Sequence, residues 1–376
     1  MKIPFNRASI LHTDVDLLLE AIESGHISGN GRYTQLSEEL ITSNLGVLRT
    51  LLTTSCTSAL EMSALLLNLA KDDEVIMPSF TFVSTANAFA LYGARPVFVD
   101  ANYATLNIEA NLIERAITKK TRAICVVHYG GVACEMDKIL EIAKMHNLKV
   151  VEDNAHGLFG KYRGKYLGTF GSLATQSFHE TKNISCGEGG ALLINDSDFV
   201  ERAEILREKG TDRSKFFRGQ IDKYTWVDIG SSWVMSDMLA AILYGQLSRS
   251  GEIQNRRMKI WNRYKSELQA WADQCGVQLP VVPDHCEHTG HLFHMRFSAV
   301  QQRDRFISFL KAEGITATFH YQPLHRSKVG QMFAGVNHSL PVSEHAGDCL
   351  VRLPLYDSLS ELEQMKVIDA TKSFQP

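Results

Sequence analysis

Arg122-Ala-Ile-Cys-Val-Val-His128, the helical stretch Met136–His146 and Lys149-Val-Val-Glu-Asp153 follow one another within about 30 residues, the length of a strand–helix–strand unit. The two outer runs are short, apolar and rich in β-branched residues, as strands buried on both faces are. Asn147 offers a C-cap between helix and second strand. The same rhythm extends in both directions. Strands are expected at Glu74–Met77, Pro96–Asp100 and Leu173–Phe178, and helices at Ser58–Ala70, Val83–Tyr92 and Ile108–Ile117. Repetition of this unit predicts an α/β protein with a mostly parallel central sheet covered by helices. Ligands in such folds bind beyond the C-terminal ends of the strands, so chemistry is sought there.

Past residue 245 the texture changes. A long helix is expected from Asp237 to about Ala272, then a smaller unit of strand His291–Phe297, helix Arg303–Gly314 and strand Thr316–Tyr321. This predicts a large domain over 1–250 and a smaller C-terminal α/β domain over 251–376.

Composition narrows the function. Lys plus Arg number 39 against 42 Asp plus Glu, a net charge of −3, which leaves no basic footprint for nucleic acid. No apolar run approaches the ~20 residues of a membrane span, and Met1-Lys-Ile-Pro-Phe-Asn-Arg7 lacks the apolar core of a secretory signal. The seven cysteines are odd in number and scattered, so a reducing, cytoplasmic setting is expected rather than a disulfide framework.

Three strand ends carry candidate chemistry. Ser177-Phe-His-Glu-Thr-Lys182-Asn183, followed by Gly187-Glu-Gly-Gly190, sets an amine at the mouth of a pocket, where a partly neutral lysine can form a Schiff base with an aldehyde cofactor. Asp153, at the end of its strand, can pair with a protonated ring nitrogen; a helix cap explains it equally well in isolation. Thr57 and Ser58 sit where a helix opens, a ready phosphate site, although simple capping accounts for either. Phe82 can stack on a flat ring, or fill a core. Taken in order, a phosphate-type helix start, an aromatic, an aspartate and a lysine resemble the arrangement of aspartate-aminotransferase-type (fold type I) pyridoxal 5'-phosphate enzymes.

With Pro78-Ser-Phe-Thr-Phe-Val-Ser-Thr-Ala-Asn87, Glu152-Asp153, Ser177–Asn183, Gly187–Gly190, Tyr321-Gln-Pro-Leu-His325 and Leu353-Pro-Leu-Tyr356, the chain resembles the sugar-nucleotide aminotransferase family nearly end to end. The segments His128–Asp137, Arg207–Arg213, Phe217–Gln220, Asp222–Trp226 and Gly230–Ser232 bring it nearest to members that make dTDP-4-amino-4,6-dideoxygalactose. The resemblance implies pyridoxal 5'-phosphate held by Lys182 as a Schiff base. It implies Asp153 on the pyridine nitrogen, Phe82 stacked on the ring, and Thr57, Ser58 and Ser177 on the phosphate. His156 stands where many relatives carry glutamine, near the ring hydroxyl. Ser231-Ser232 replaces a family Tyr-Asn whose asparagine reaches the partner subunit's cofactor phosphate, so Ser232 is a shorter version of that contact; Val234 replaces a common arginine. The implied substrates are a dTDP-linked 4-keto-6-deoxyhexose and L-glutamate, for a bacterial surface polysaccharide, in a homodimer with active sites at the subunit interface. Lys209, Arg213, His320 and His325 are candidate substrate-binding residues. The 4-amino glucose epimer and a 3-amino sugar are the alternative products. The family's dehydratase branch replaces the lysine by histidine, and a non-catalytic relative should lack Lys182 or Asp153; both are present. No metal is expected: His285, Cys286, His288, His291 and His294 match no zinc spacing, and a strand would turn His291 and His294 to opposite faces.

Overall fold

The structure, a computed structural model, describes residues 2–335 and 338–376. Its strands are β1 (Arg49–Thr53), β2 (Glu74–Pro78), β3 (Arg95–Val99), β4 (Thr121–Val127), β5 (Lys149–Asp153), β6 (Lys161–Tyr162), β7 (Lys165–Tyr166), β8 (Leu173–Ser177), β9 (Gly190–Ile194), β10 (Cys286–Glu287), β11 (Phe293–Arg296) and β12 (Leu350–Leu353). Seven of them form the central sheet in the order β1-β9-β8-β5-β4-β2-β3. Every strand of that sheet but β9 runs the same way, because β9 is antiparallel to both neighbours, β1 and β8. The C-terminal ends of β1, β2, β4, β5 and β8 therefore share one edge with the start of β9.

The strands expected from sequence lie within a residue or so of β2, β3, β4, β5 and β8. Nearly continuous burial along them is why they read as short apolar runs. The helix Met136–Met145 buries Met136, Ile139, Ile142 and Ala143, one helical stripe against the sheet. Asn147 takes the left-handed conformation (φ 52°) that the turn back into β5 requires, one residue beyond the cap at His146. Helices Arg32–Leu45 and Asp237–Ser248 cover one face of the sheet, with Tyr33, Ile41, Leu243 and Leu247 packed on Leu52, Ala174 and Leu193. On another side, helices Cys56–Leu66 and Ser84–Ala90 bury Leu60, Met62 and Phe89 against Val75, Cys125 and Val151.

Two expectations need correcting. The long helix after Asp237 is broken at Arg249 into Asp237–Ser248 and Ser250–Cys275; the run Ser248-Arg-Ser-Gly251 is rich in poor helix formers. Thr316–Tyr321 is not a strand but touches β12 through a single bridge, Thr318 with Arg352, while β12 itself pairs with β11. A second core gathers Trp261, Tyr264, Phe293, Phe297, Phe306, Leu310, Val351 and Leu353, and Ile3 from the start of the chain joins it by pairing with Ile315. Among the described residues no helix is long and apolar enough to cross a membrane.

Candidate active site

At the C-terminal edge of the sheet a cleft of about 540 Å³ opens between this edge and the second core. It is bounded by the ends of β5 and β8, the first turn of helix Cys56–Leu66, the Phe82 loop, and Tyr321 and Arg352 from the C-terminal part of the chain. Each wall follows from local chemistry.

Asp153 ends β5 and is buried. Thr85 donates to its Oδ2 at 2.7 Å, and Thr81 in turn bonds to Thr85 at 2.9 Å. Among the described residues its Oδ1 receives only the Ala155 N–H, at 3.3 Å. Burial raises the pKa of this carboxyl against the pull of those donors and of Lys182. A buried carboxylate so thinly supplied with donors suits a cationic N–H partner.

Lys182 sits on the loop joining β8 to β9. That loop is fixed by Phe178 N to Gly189 O at 2.8 Å, Glu180 N to Gly187 O at 2.9 Å and Lys182 N to His179 O at 2.9 Å. Lys182 is half-buried, and among the described residues its amine has no hydrogen bond or ion pair. Burial lowers its pKa, which enlarges the neutral fraction that a nucleophilic amine needs.

Ser55 caps the helix Cys56–Leu66 by accepting from Ser58 N, and the first-turn N–H groups of Cys56 and Thr57 have no intrahelical carbonyl. Thr57 Oγ1 and Ser84 Oγ bond to each other at 2.8 Å on the cleft wall, with Ser177 also lining it. Free amides and hydroxyls at a helix start suit a phosphate. β9 passes this start closely: a Cβ on Gly190 would come within 2.3 Å of Cys56 N. Ser58, by contrast, turns its hydroxyl to Thr54 and Ser55, at 2.8 and 3.0 Å, and does not line the cleft, because the helix begins two residues before it.

His156 follows β5 and is buried. Its Nδ1 accepts from Gly130 N–H at 3.3 Å, which leaves Nε2–H to donate to the Tyr321 hydroxyl, also 3.3 Å away. Burial first, then the charges of Lys182 and Arg352, hold its pKa well below the usual histidine value, so it is a neutral donor. His291 stacks on it at 4.2 Å and donates from Nδ1 to Asn183 Oδ1 at 2.9 Å. His320 stacks on Tyr321 at 3.6 Å and bonds to Tyr129 Oη at 2.6 Å. Phe82 is 55% exposed at the rim, its ring 6.1 Å from that of Tyr321, with a face open to the cleft.

Thus Thr57, Phe82, Asp153, His156, Ser177, Lys182 and His320 share one cleft. Ser84, Tyr321, His291 and Arg352 belong to it as well; none was assigned to a cofactor or substrate from sequence, His291 having been weighed only as a metal ligand. Tyr321 and Arg352 lie in or beside segments already recognised as family-like, which was the available signal. His325 does not reach the cleft. Its Nδ1 accepts from Ser79 at 2.7 Å and its Nε2 faces Glu344 at 3.1 Å, so both ring nitrogens are spent on structure. Ser232, Lys209 and Arg213 line a separate cavity of about 680 Å³ with Glu38, Arg207 and Glu208. The histidines weighed as metal ligands disperse. His285 faces Glu135, His288 packs on Trp261, His294 lies near Tyr129, and His291 precedes β11 rather than lying in it. Among the described residues no group of three such side chains converges to hold a metal ion.

Comparison with known proteins agrees with this geometry. The model of the DegT/DnrJ/EryC1/StrS aminotransferase family matches residues 9–372. The spore coat polysaccharide biosynthesis protein SpsC of Bacillus subtilis is 31% identical, over 98% of this chain and 96% of its own. The aminotransferase TlmJ of Streptoalloteichus hindustanus superposes with a TM-score of 0.91 at 30% identity, over 99% of this chain and 98% of that one. The putative sugar aminotransferase Spr1654 of Streptococcus pneumoniae, solved in PLP and PMP forms, gives 0.91 at 25% identity, over 99% of this chain and 97–98% of its own. The fold is that of fold type I aminotransferases, and the family works with pyridoxal phosphate. The chain belongs to the DegT/DnrJ/EryC1/StrS aminotransferase family.

Proposed function

We propose that this protein transfers the amino group of L-glutamate to a dTDP-linked 4-keto-6-deoxyhexose, giving dTDP-4-amino-4,6-dideoxygalactose and 2-oxoglutarate for a surface polysaccharide. The observation that carries this reading is the meeting of the Lys182 amine and the Asp153 carboxylate in one cleft, beside the first turn of helix Cys56–Leu66. The choice of sugar rests on the sequence resemblance. The polysaccharide role of the relative SpsC supports the setting.

Bound pyridoxal phosphate supplies an electron sink conjugated to the substrate nitrogen. Asp153 would hold the pyridine nitrogen protonated, with the Thr85 hydroxyl favouring the charged form of the carboxylate. Thr57, Ser84, Ser177 and the Cys56 and Thr57 amides would hold the phosphate. Phe82 would cover the ring, and the His156 Nε2–H, a long 3.3 Å from the Tyr321 hydroxyl, would turn to the ring oxygen. Lys182 Nζ, its pKa lowered by burial, would take and hold the proton of the donor's α carbon, and would return a proton to the sugar carbon in the second half-reaction. His320 and Tyr321 form the wall against which the sugar lies. Two half-reactions at one site give ping-pong kinetics.

The reading includes a homodimer. Ser232, Lys209 and Arg213 line a cavity separate from their own cleft, which suits a reach into the partner's. The neighbouring Phe217, Tyr224, Trp226 and Ile229 leave an apolar surface, Trp226 being 76% exposed. It also includes the division of the chain near residue 250, supported by the separate core after Ile260. The test is the proton NMR spectrum of the product from dTDP-4-keto-6-deoxyglucose and L-glutamate. A 4-amino sugar with a small H3–H4 coupling is expected. A large coupling means the gluco epimer, and absence of any amino sugar from cofactor-loaded enzyme refutes the substrate assignment.

A further inference from the structure

Just ahead of β11, the segment Thr289-Gly-His291 crosses from the C-terminal core to the sheet edge and ties two walls of the cleft together. The buried Thr289 gives its hydroxyl to His156 O at 2.7 Å, and its own carbonyl accepts from Asn183 Nδ2 at 2.9 Å. A carbonyl only accepts, so this bond turns Asn183 Oδ1 towards His291, 2.9 Å from Nδ1, and fixes the proton on that nitrogen. Asn183 directly follows Lys182. The segment is held from behind by the buried Arg257, which donates to Gly290 O at 3.3 Å and to His291 O at 2.6 Å. Gly131 makes room for it, since a Cβ there would run into Thr289 Oγ1.

The His156 ring depends on such support. Its two hydrogen bonds, from Gly130 N–H and to the Tyr321 hydroxyl, are both 3.3 Å long, and bonds of that length restrain a ring weakly. The rings of Tyr129 and His320 stay 6.2 and 6.3 Å away. Among the described residues only His291 lies close against its face, 4.2 Å from centre to centre and 24° from parallel.

We infer that His291 is a positioning residue: oriented by Asn183, it holds the His156 ring so that Nε2–H points at the cofactor's ring oxygen, and it couples that donor to the loop carrying Lys182. This rests on the aminotransferase reading above. Loss of solvation keeps both imidazoles neutral, each pKa well below 6.5, so the two rings stack without charge repulsion. Their tautomers are opposite, Nε2–H on His156 and Nδ1–H on His291, and each is traced to a backbone group, Gly130 N–H for one and Thr289 O for the other.

The test is a pH titration of the visible absorbance of the protein loaded with pyridoxal phosphate, for wild type, H291A, H156A and the double variant. That absorbance reports the proton shared between the ring oxygen and the nitrogen that Lys182 contributes. A donor on the oxygen stabilises its bare, charged form, so losing the donor raises the pH at which the proton leaves. H156A is expected to raise the midpoint by roughly 1 to 2 pH units, the worth of a hydrogen bond to a charged group. H291A should raise it by at least about half a unit, and H291F, which keeps a flat face without the Asn183 bond, should fall between. In the H156A background H291A should add nothing, because no ring is left to position. The other titratable and charged groups facing His156, namely His320, Tyr129, Tyr321, Lys182 and Arg352, are common to every variant, so they cancel in the comparison. A wild-type midpoint in H291A overturns the inference. Equal shifts by H291A with and without His156 overturn it too, since His291 would then act on the cofactor itself. If H291A does not hold its far-UV circular dichroism and cofactor absorbance, H291L, which fills the space without ring or donor, is judged by the same two criteria. Wild type that takes up no cofactor refutes the aminotransferase reading, whereas loaded protein whose midpoint ignores His291 refutes this inference alone.

Discussion

Glu152, beside Asp153, is fully buried, and its substitution by glutamine gives a sharp test of how this edge of the sheet is built. Its carboxylate accepts from Phe170 N and Gly171 N at 2.7 Å, from Gly168 N at 2.8 Å and from His128 Nε2 at 2.9 Å. Cys134 N–H donates to His128 Nδ1, which fixes the tautomer that donates to Glu152. Replacing a charge-assisted hydrogen bond by a neutral one costs about 1 kcal/mol, and four donors are affected. The amide's NH2 must also face one of those donors, while relief from burying a charge offsets part of the loss. A net loss of about 3 kcal/mol follows. With an unfolding entropy of roughly 2.1 cal/mol/K per residue, that is a fall in Tm of about 4 °C near neutral pH. The pH dependence supplies a second check. His128 and the backbone donors hold the Glu152 pKa below its usual 4.5, even though burial alone would raise it. A carboxyl whose folded pKa is depressed contributes stability above its unfolded pKa and loses it as pH falls through the folded one. The Tm gap between wild type and E152Q is therefore full at pH 7 and closes as pH falls below 4.5. Equal melting temperatures at pH 7, or a gap that widens in acid, refute this account of Glu152.

Lys182→Ala should lower the donor half-reaction by at least the roughly 10²–10⁴-fold that a positioned base supplies, measured by single-turnover absorbance; a loss under tenfold removes Lys182 from the proton transfer. His156 and His320, both buried, and His291, half-buried, are all held neutral, their pKa values pushed well below 6.5 by loss of solvation first. The unfolded chain takes up protons below pH 6.5 that the native state refuses, so stability falls in acid by up to about 4 kcal/mol per pH unit for the three. Melts from pH 7 to 5.5 should show this, with a shallower fall in H156Q; an unchanged slope in that variant would contradict it. Gly190→Ala drives a Cβ to within 2.3 Å of Cys56 N and Ser55 C, backbone that cannot swing aside. We expect about 1–3 kcal/mol of destabilisation and a lower cofactor-to-protein ratio after dialysis, since the shifted atoms open the phosphate-type turn.

The alternation of buried strands and amphipathic helices was legible in the residues themselves, because local periodicity reports which face is buried. It located β2, β3, β4, β5 and β8 closely, and with them Asp153 and Ser177 at strand ends. Lys182 and Thr57 were found by their neighbours in the chain: glycines behind one, hydroxyls and a helix start beside the other. What the sequence could not order is whatever depends on residues far apart in the chain. β9 is antiparallel to both its neighbours and joins the sheet between β1 and β8, so it follows no strand–helix–strand rhythm. His320 and His325 are five residues apart and chemically alike, yet one faces the cleft while the other is spent on Ser79 and Glu344, a difference set by a helix nearly 20 residues further on. Ser232, Lys209 and Arg213 could be read as site residues from their motifs, but only the fold turns them into a second cavity. Arg352 carried no periodic signal at all. Its place comes from Phe5, more than 300 residues away, lying under its guanidinium in a cleft that exists only once the C-terminal core packs beside the sheet edge. Local chemistry is written along the chain; which charges are left unpaired is decided by what tertiary packing brings, or does not bring, to face them.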